Sequence, residues 1–328
     1  MKVLFIGGTG NISSAVGSLA VSQGIDLYLY NRGTRSPTPP GASLIKGDVS
    51  LMGSHSELLG RTWDAVVNWI AFTEDDVQRD IDIFAGKTSQ YVFISSASVY
   101  QKPPLHPVIT ESTPLSNPFW EYSQNKIACE LRLDAAYRQT GFPVTIVRPS
   151  LTYNRVIPVP IGGWTEYTIV DRIRKGKKII VHGDGTSLWT VTHADDFAVG
   201  FLGLLGHQQA IGQAFHITSD ELLTWDQIHQ AVAEAVGCSA EIVHLPTEFL
   251  ARFDDHLRGS LSGDKAHSAI FDNTKIKRFV PGFTAMIPFK KGIRRTIEWF
   301  EEDPTRMVVK DSTNAFIEEM LTRYERAL

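Results

Sequence analysis

Residues 2–13 read KVLFIGGTGNIS, and this stretch decides the fold. A short apolar run ends at two glycines, and the residues that follow have the pattern of an amphipathic helix. Gly7 permits a tight turn, and Gly10 lets the backbone approach a ligand closely. The start of the following helix offers free N–H groups and a positive dipole end, which suit a pyrophosphate.

The loop has the spacing G-x-x-G-x-x-S, because Ser13 stands where dinucleotide-binding loops usually have a third glycine. Its position between a strand and a helix predicts a dinucleotide site, and the alternative is a plain strand-to-helix turn. The candidate cofactor residues in this loop are Gly7, Thr9, Gly10, Asn11 and Ile12.

Apolar runs alternate with helical stretches in the first half of the chain. Such near-continuous runs suit strands that are buried on both faces, and the segments between them are long enough for crossover helices. The alternation predicts an α/β fold with a Rossmann-type, doubly wound parallel sheet. The predicted strands are residues 2–6, 26–30, 64–70, 90–95 and 143–147, with a further strand before KGDVS.

The pattern changes after Arg148, where a smaller mixed lobe is expected. We assign residues 1–150 and about 188–215 to the dinucleotide-binding domain, and about 151–187 and 216–328 to the substrate-binding lobe. Helices are expected in the lobe near 224–236, 246–258, 290–303 and 311–327. Loops are expected at 36–41 and 102–118, and the second either covers the substrate or is an ordinary surface loop.

Composition predicts an ordinary globular protein. The formal net charge of -4 gives no overall attraction to nucleic acid or to an anionic membrane. Two cysteines, without metal-ligand spacing, favour a reducing compartment over a disulfide framework. Apolar stretches fall short of the roughly 20 residues that span a membrane, so a cytoplasmic location is expected.

The residues after the second strand bear on the cofactor. NAD-binding enzymes usually have an acid there for the ribose 2′-OH, but this chain has Asn31 followed by Arg32. A guanidinium can pair with a 2′-phosphate, which favours NADP over NAD, although Arg32 could also be a solvated turn residue. Asp48 either hydrogen-bonds the adenine amine or caps a helix.

Tyr122 and Lys126 form a candidate proton-transfer pair. Their i,i+4 spacing puts both side chains on one helix face, and a neighbouring ammonium would lower the pKa of the phenol. Ser96 and Ser98 follow a strand, at the carboxyl edge where parallel sheets bind ligands. A hydroxyl there can hydrogen-bond the reacting oxygen beside the tyrosine, although small polar residues after a strand also serve as turn formers.

Taken together, these motifs resemble those of the extended short-chain dehydrogenase/reductase family, which includes nucleotide-sugar epimerases, dehydratases and dihydroflavonol-type reductases. The resemblance covers nearly the whole chain and rests on FIGGTGNIS, KGDV, DAVVNWIAF, YVFISSASVY, YSQNK, VTIVRPS and GDGTSLWTVTHADDFA. It implies an NAD(P)-dependent oxidoreductase or epimerase that acts on a hydroxyl or carbonyl carbon of a sugar-like or other small polar substrate, and a homodimer. It also implies that Ser96, Tyr122 and Lys126 are catalytic, that Lys126 holds the nicotinamide ribose, and that Arg32 holds a 2′-phosphate.

Two positions depart from the nucleotide-sugar enzymes. Leu151 stands where many members have an asparagine that helps hold the nucleotide, and Trp189 stands where an arginine often binds the diphosphate. UDP-sugar binding is therefore in doubt, and Trp189 either stacks on a less charged substrate or packs in the core. Ser98, Leu151 and Trp189 are the candidate substrate contacts. No metal is expected, since His193 lacks a second histidine at ligand spacing; His193 and Asp196 are interpreted as caps of the following helix.

A second hypothesis is a non-enzymatic protein on the same fold that binds a nucleotide or RNA. YNRG and FIGGTG also resemble chloroplast stem-loop RNA-binding proteins. The electrostatic candidate is a basic cluster, but no aromatic residues interleave it, and a solvated helix end is the favoured interpretation. The cluster consists of Arg172, Arg174, Lys175, Lys177 and Lys178.

Overall fold

The computed structural model describes residues 1–34, 38–51 and 55–327, without the side chain of Ser56. Residues 36 and 37 of the loop expected at 36–41 lie outside the described residues. No helix in the described ranges is long and apolar enough to cross a membrane.

The strands are β1 (Lys2–Ile6), β2 (Asp26–Asn31), β3 (Ser43–Lys46), β4 (Ala65–Asn68), β5 (Tyr91–Ile94), β6 (Val108–Ile109), β7 (Val144–Pro149), β8 (Leu151–Tyr153), β9 (Lys178–His182), β10 (Leu188–Trp189), β11 (Val191–His193), β12 (Gln213–Ile217), β13 (Leu223–Thr224), β14 (Glu241–Leu245) and β15 (Ile270–Phe271). The helices are α1 (Asn11–Ser22), α2 (Ser56–Leu59), α3 (Glu74–Phe84), α4 (Glu121–Thr140), α5 (Thr168–Arg174), α6 (Ala194–Leu204), α7 (Trp225–Ala235), α8 (Thr247–Leu250), α9 (Asp255–Ser260), α10 (Thr274–Phe279), α11 (Phe289–Glu301) and α12 (Asp311–Glu325). A π-helical turn, Leu261–Lys265, follows α9 directly.

Among the described residues, seven parallel strands form the central sheet in the order β3-β2-β1-β4-β5-β7-β12. Alternate side chains of β1 enter two different cores, as the two-residue period of a strand requires. Val3 and Phe5 pack with α1 and α6 on one face, whereas Leu4 and Ile6 pack with α3 and α4 on the other. Helices on both faces of a parallel sheet confirm the predicted doubly wound α/β fold.

The remaining elements form a mixed region beside the carboxyl edge of the sheet. The parallel pair β9–β14 packs with α5 and α7, and α11 packs against α7. The expected helices at 224–236, 290–303 and 311–327 are confirmed as α7, α11 and α12. The expected helix at 246–258 is divided into α8 and α9, because Asp254 accepts a hydrogen bond from the backbone N–H of Leu257 and starts a new helix.

The segment 102–118 is attached to this second region. Its strand β6 pairs in parallel with β15, and the backbone N–H of Lys102 donates to the carbonyl of Ser116. At its end, the Asn117 side chain donates to the carbonyls of Ser98 and Gly263, at 2.7 Å and 2.6 Å. The segment therefore joins the tip of strand β5 to the lobe.

Candidate active site

The glycine loop adopts a conformation that other residues would strain. Gly7 and Gly8 have φ of +90° and +94°, and a Cβ added to Gly8 would lie 3.0 Å from Cγ of Leu29. Gly10 caps α1, and its N–H donates to Oγ of Ser13 at 2.8 Å. Ser13 is buried, as expected for the small residue of the pattern, and it also caps the helix. Gly8 was not among the predicted cofactor residues. The sequence feature that could have pointed to it is the adjacent pair of glycines, Gly7 and Gly8.

Asn31 braces this loop. Its Nδ2 donates to the carbonyl of Gly7 at 2.9 Å, and its Oδ1 accepts from the N–H of Gly33 at 2.8 Å. The side chain at the position usual for the ribose-binding acid is therefore held by protein contacts at both ends. The exposed Arg32 follows it at the edge of the same loop.

Asp48 forms a turn. Its Oδ1 accepts from the Ser50 hydroxyl at 2.6 Å and from the Ser50 N–H at 3.0 Å. These bonds, and to a smaller extent the nearby Arg32 guanidinium, hold the pKa of Asp48 below its usual value. The interpretation of Asp48 as a helix cap is wrong, since in the described residues the next helix, α2, begins at Ser56. An adenine contact for Asp48 stays a prediction.

Ser96 and Tyr122 are linked by a chain of hydroxyl groups. The Ser123 hydroxyl donates to Oγ of Ser98 at 2.7 Å, and Oγ of Ser98 lies 2.9 Å from Oγ of Ser96. With its own oxygen accepting from Ser123, the Ser98 hydroxyl can donate to Ser96, which leaves the Ser96 proton for Tyr122. The Ser96 hydroxyl acts toward a lower pKa of Tyr122, although burial outweighs this effect. We call Ser123, Ser98, Ser96 and Tyr122 the hydroxyl chain.

The neighbouring Ser95 has a different role. Its hydroxyl donates to Oε1 of Glu130 at 2.5 Å, and Glu130 forms a buried ion pair with Arg148. Of the serines at the tip of β5, Ser96 and Ser98 therefore belong to the candidate site. Ser123 and Asn117 were missed by sequence reasoning, because their role depends on contacts with Ser98, 25 and 19 positions away.

Lys126 lies one turn after Tyr122 on α4, on the same face of the helix as predicted. Its Nζ donates to the carbonyls of Ala71 and Ile94, at 2.6 Å and 2.8 Å. The ammonium also lies 4.5 Å and 4.9 Å from the ring centres of Phe72 and Phe93. Burial lowers the pKa of Lys126 to about 8.

The expected effect of Lys126 on Tyr122 is wrong for this structure. Burial raises the pKa of Tyr122 to about 12, and the hydrogen bond from Ser96 offsets only part of that increase. The Lys126 ammonium is 5.9 Å from the Tyr122 ring centre and donates to two carbonyls instead. Of the neighbouring groups, the Ser96 hydroxyl rather than the Lys126 ammonium opposes the effect of burial on the pKa of Tyr122.

Trp189 does not face a substrate. It is 2% exposed, and its ring lies 5.5 Å from that of Trp225 in the core of the lobe. The prediction that Trp189 stacks on a substrate is therefore wrong, and the alternative of a packing tryptophan is correct. Leu151 is half-buried against the same core.

His193 and Asp196 have structural contacts. Nδ1 of His193 accepts from the Asp195 N–H at 3.2 Å and caps α6, as predicted. The carboxylate of Asp196 instead accepts from the N–H groups of Met286 and Ile287, so its interpretation as a cap is wrong. Among the described residues, no group of three His, Cys, Asp or Glu side chains is arranged to hold a metal ion.

The residues of the basic cluster around α5 form ion pairs with acidic residues. Arg172 is buried and donates to the carbonyl of Lys178, so it cannot contact a nucleic-acid backbone. Each of the five cations has an acidic partner within 4.0 Å, which argues against a free basic surface. The pairs are Arg172 and Lys177 with Glu318, Arg174 with Glu301, Lys175 with Asp171, and Lys178 with Glu325.

The doubly wound sheet, the glycine cradle before α1 and the YxxxK helix at the carboxyl edge define an enzyme of the extended short-chain dehydrogenase/reductase type. A family model described as "NAD dependent epimerase/dehydratase family" matches residues 3–218. The chain belongs to this family. The left-handed glycines and the start of α1 fit a dinucleotide, since the backbone is open to a pyrophosphate at the point where a Cβ would crowd the turn.

Two relatives of described function are similar over much of their length. The chloroplast stem-loop binding protein of 41 kDa b from Arabidopsis thaliana is 27% identical over 266 residues, which are 76% of this chain and 67% of that protein. The dTDP-D-glucose 4,6-dehydratase of Homo sapiens is 24% identical over 228 residues, which are 66% of this chain and 58% of that enzyme. The match thus spans less than two thirds of the human enzyme.

A solved structure confirms the fold. The dTDP-glucose 4,6-dehydratase of Bacillus anthracis, solved in complex with NAD, has a TM-score of 0.73 and 20% sequence identity. The match covers 93% of this chain and 98% of that one.

Proposed function

We propose that the protein is an NAD(P)-dependent oxidoreductase or epimerase that interconverts a hydroxyl and a carbonyl on a sugar-like or other small polar substrate. The observation that carries this proposal is that Tyr122 and Lys126 lie together at the carboxyl edge of the sheet, beside the hydrogen-bonded hydroxyls of Ser96, Ser98 and Ser123. A donor that stabilises the phenolate is what a tyrosine needs in order to take a proton from a substrate hydroxyl.

Each residue has a role that follows from its contacts. Tyr122 exchanges the hydroxyl proton, and in the substrate complex Ser96 donates its one hydroxyl proton to the substrate oxygen instead of to Tyr122. Ser98 and Ser123 keep the Ser96 proton directed toward the reacting atoms. Lys126 is held by two carbonyls at a point from which its ammonium would bind the ribose hydroxyls. When bound, the nicotinamide would supply or accept the hydride.

The dinucleotide would be held by Gly7, Thr9, Gly10, Asn11 and Ile12, with Asp48 toward the adenine. NADP is proposed over NAD, because Arg32 is exposed where a 2′-phosphate would lie and Asn31 is engaged with the loop. Residues 1–150 and about 188–215 would bind the cofactor, and about 151–187 and 216–328 the substrate. A cytoplasmic homodimer remains part of the proposal.

The test uses the purified full chain. Nicotinamide fluorescence should report saturable binding of NADPH, and of NADH more weakly, and carbonyl compounds and sugars are then screened for turnover. Tyr122→Phe should keep the cofactor affinity and lower turnover by at least about a hundredfold, the size expected for loss of a general acid–base group. Tyr137→Phe, on the exposed part of the same helix, is the matched control. Failure to bind either cofactor would refute the proposal.

A further inference from the structure

Phe72 is an exposed aromatic residue at the candidate active site. It immediately precedes Thr73, the cap of α3, and its backbone N–H donates to Oδ2 of Asp76 at 2.9 Å. An apolar residue in this position often packs on the fourth residue of the helix, which here is Val77. Val77 is fully buried in the core under the sheet, yet the Phe72 side chain is 47% exposed. Packing at the helix start therefore accounts for at most the buried half of the Phe72 side chain.

The contacts of Phe72 place its ring beside the reacting groups. The ring centre lies 4.5 Å from Nζ of Lys126 and 6.4 Å from the ring centre of Tyr122. One face or edge is thus occupied by catalytic side chains, and about half of the side chain remains accessible. A substrate oxygen bonded to Tyr122 would bring the rest of the substrate within reach of this surface.

Trp120 lies on the Tyr122 ring as well. Its ring centre is 4.9 Å from that of Tyr122, and its indole fits against two glycines of the lobe. A Cβ on Gly259 would lie 2.4 Å from Cδ1 of Trp120, and one on Gly263 would lie 2.9 Å from Cβ of Trp120. We call Phe72 and Trp120, which are both in ring contact with Tyr122, the aromatic wall.

The cations near the aromatic wall are already engaged. Nζ of Lys265 lies 5.4 Å from the Trp120 ring centre and 3.7 Å from Oδ2 of Asp264, and Nζ of Lys102 lies 3.8 Å from the other oxygen of the same carboxylate. Lys126 donates to two carbonyls. Aromatic faces bind apolar ring faces well, whereas a diphosphate needs cations that are free to pair with it.

We propose that the substrate presents the apolar face of an uncharged ring to the aromatic wall, and that Phe72 is a specificity-determining residue. This inference rests on the proposed function, since it places the reacting oxygen on Tyr122. The preferred class is a ring-bearing alcohol or ketone, such as a glycoside, rather than a nucleoside diphosphate sugar.

The experiment measures binding to the NADP⁺-loaded full chain by calorimetry, with phenyl β-D-glucopyranoside, methyl β-D-glucopyranoside and UDP-glucose as probes. The phenyl glucoside should bind most tightly. Phe72→Leu, which keeps an apolar side chain but removes the aromatic face, should weaken binding of the phenyl glucoside by about two- to tenfold, the range for one aromatic contact. Phe253→Leu is the matched control, because that exposed ring packs on Phe249 and under Arg323.

Three outcomes of the titrations with the glucosides and UDP-glucose would overturn the inference. They are tighter binding of UDP-glucose than of either glucoside, no binding of either glucoside at millimolar concentration, and an unchanged phenyl glucoside affinity in Phe72→Leu. Direct titration with NADPH separates this inference from the proposed function. If Phe72→Leu weakens NADPH binding, the ring belongs to the cofactor site and the inference fails, whereas a wild-type chain that binds no cofactor fails the proposed function itself.

Discussion

Ser123 lies next to Tyr122 on α4, and its fully buried hydroxyl begins the chain that ends on the phenol. At the scale of single residues, the proposed chemistry depends on this order of donors. Burial raises the pKa of Tyr122 to about 12, and the Ser96 hydroxyl opposes only part of that rise. Lys126 influences the site mainly through its position, which two backbone carbonyls determine.

Ser123→Ala tests the hydroxyl chain. Without a donor from Ser123, the Ser98 hydroxyl loses its preferred direction and Ser96 is no longer held as a donor to Tyr122. We expect the apparent pKa of turnover to move to higher pH and the free energy of unfolding to fall by about 1 kcal/mol. The measurements are a pH–rate profile and urea unfolding, with Ser22→Ala on the exposed end of α1 as control. A pH profile identical to that of the wild type would contradict the proposed role of the hydroxyl chain.

Arg32→Ala tests the cofactor preference. A guanidinium paired with a 2′-phosphate forms charge-assisted hydrogen bonds of about 1.5–3 kcal/mol, so the affinity for NADPH should fall by roughly ten- to a hundredfold. The affinity for NADH should stay within about twofold, since NADH lacks that phosphate. Fluorescence titration measures both constants, and Arg326→Ala, at the exposed end of α12, is the control. An equal loss for both cofactors would contradict the assignment.

At the scale of elements, Asp80 connects α3 to two strands of the sheet. Its buried Oδ2 accepts from the Tyr91 hydroxyl of β5 at 2.6 Å and from the Asn68 amide at the end of β4. Oδ1 of Asn68 in turn accepts from the N–H of Ile70, and Ala71 supplies a carbonyl to Lys126. The helix thus helps to hold the segment against which Lys126 is placed.

Asp80→Asn tests this connection through the pH dependence of the free energy of unfolding. Burial raises the pKa of Asp80 to about 6, against the opposing effects of Tyr91, Asn68 and Arg79. Between about pH 4 and 6, the folded wild type therefore binds more protons than the unfolded chain, and the stability due to the protonated carboxyl is lost as the pH rises. Asparagine keeps an acceptor but does not titrate. Relative to the wild type, the variant should gain up to about 3 kcal/mol between pH 4 and 7.

Urea unfolding at both pH values measures that difference. Because the other carboxyl groups are common to both proteins, their titration cancels in the comparison. Asp82→Asn, on the exposed side of the same helix, is the matched control and should show no such change. A stability difference between Asp80→Asn and the wild type that is constant from pH 4 to 7 would show that Asp80 is ionised throughout.

How much could be predicted from the sequence also differs by element. Strands such as β1 and β5 were predictable, because a parallel strand buried on both faces is apolar along its whole length. The single helix expected at 246–258 was wrong, because the local capping by Asp254 outweighs the apolar pattern. The role of Trp189 was ambiguous, because the sequence does not show whether the indole of a tryptophan in a strand faces a ligand or packs on another residue, here Trp225. Contacts between distant segments decide such cases.

At the scale of the whole molecule, the start of α4 is where the sheet region meets the lobe. Asn117 bonds to Ser98 at the tip of β5 and to Gly263 in the π-helical turn after α9. Trp120 fills the space left by Gly259 and touches Tyr122. Tyr122 is thus positioned by the lobe as well as by its own helix, so a substitution in the lobe should alter the candidate site.

Gly259→Ala tests that coupling. The new Cβ would lie 2.4 Å from Cδ1 of the Trp120 indole, so the ring must shift, and overpacking of this kind costs about 1–3 kcal/mol. We expect a lower free energy of unfolding and, because Trp120 supports Tyr122, a loss of turnover with little change in NADPH affinity. Gly60→Ala is the control, since Gly60 has φ of -87° and no neighbour within 4 Å of an added Cβ. If Gly259→Ala loses stability while turnover per folded molecule is unchanged, Trp120 only packs the two regions together. A parallel loss of turnover and of phenyl glucoside affinity would instead indicate that the lobe positions both Tyr122 and the aromatic wall.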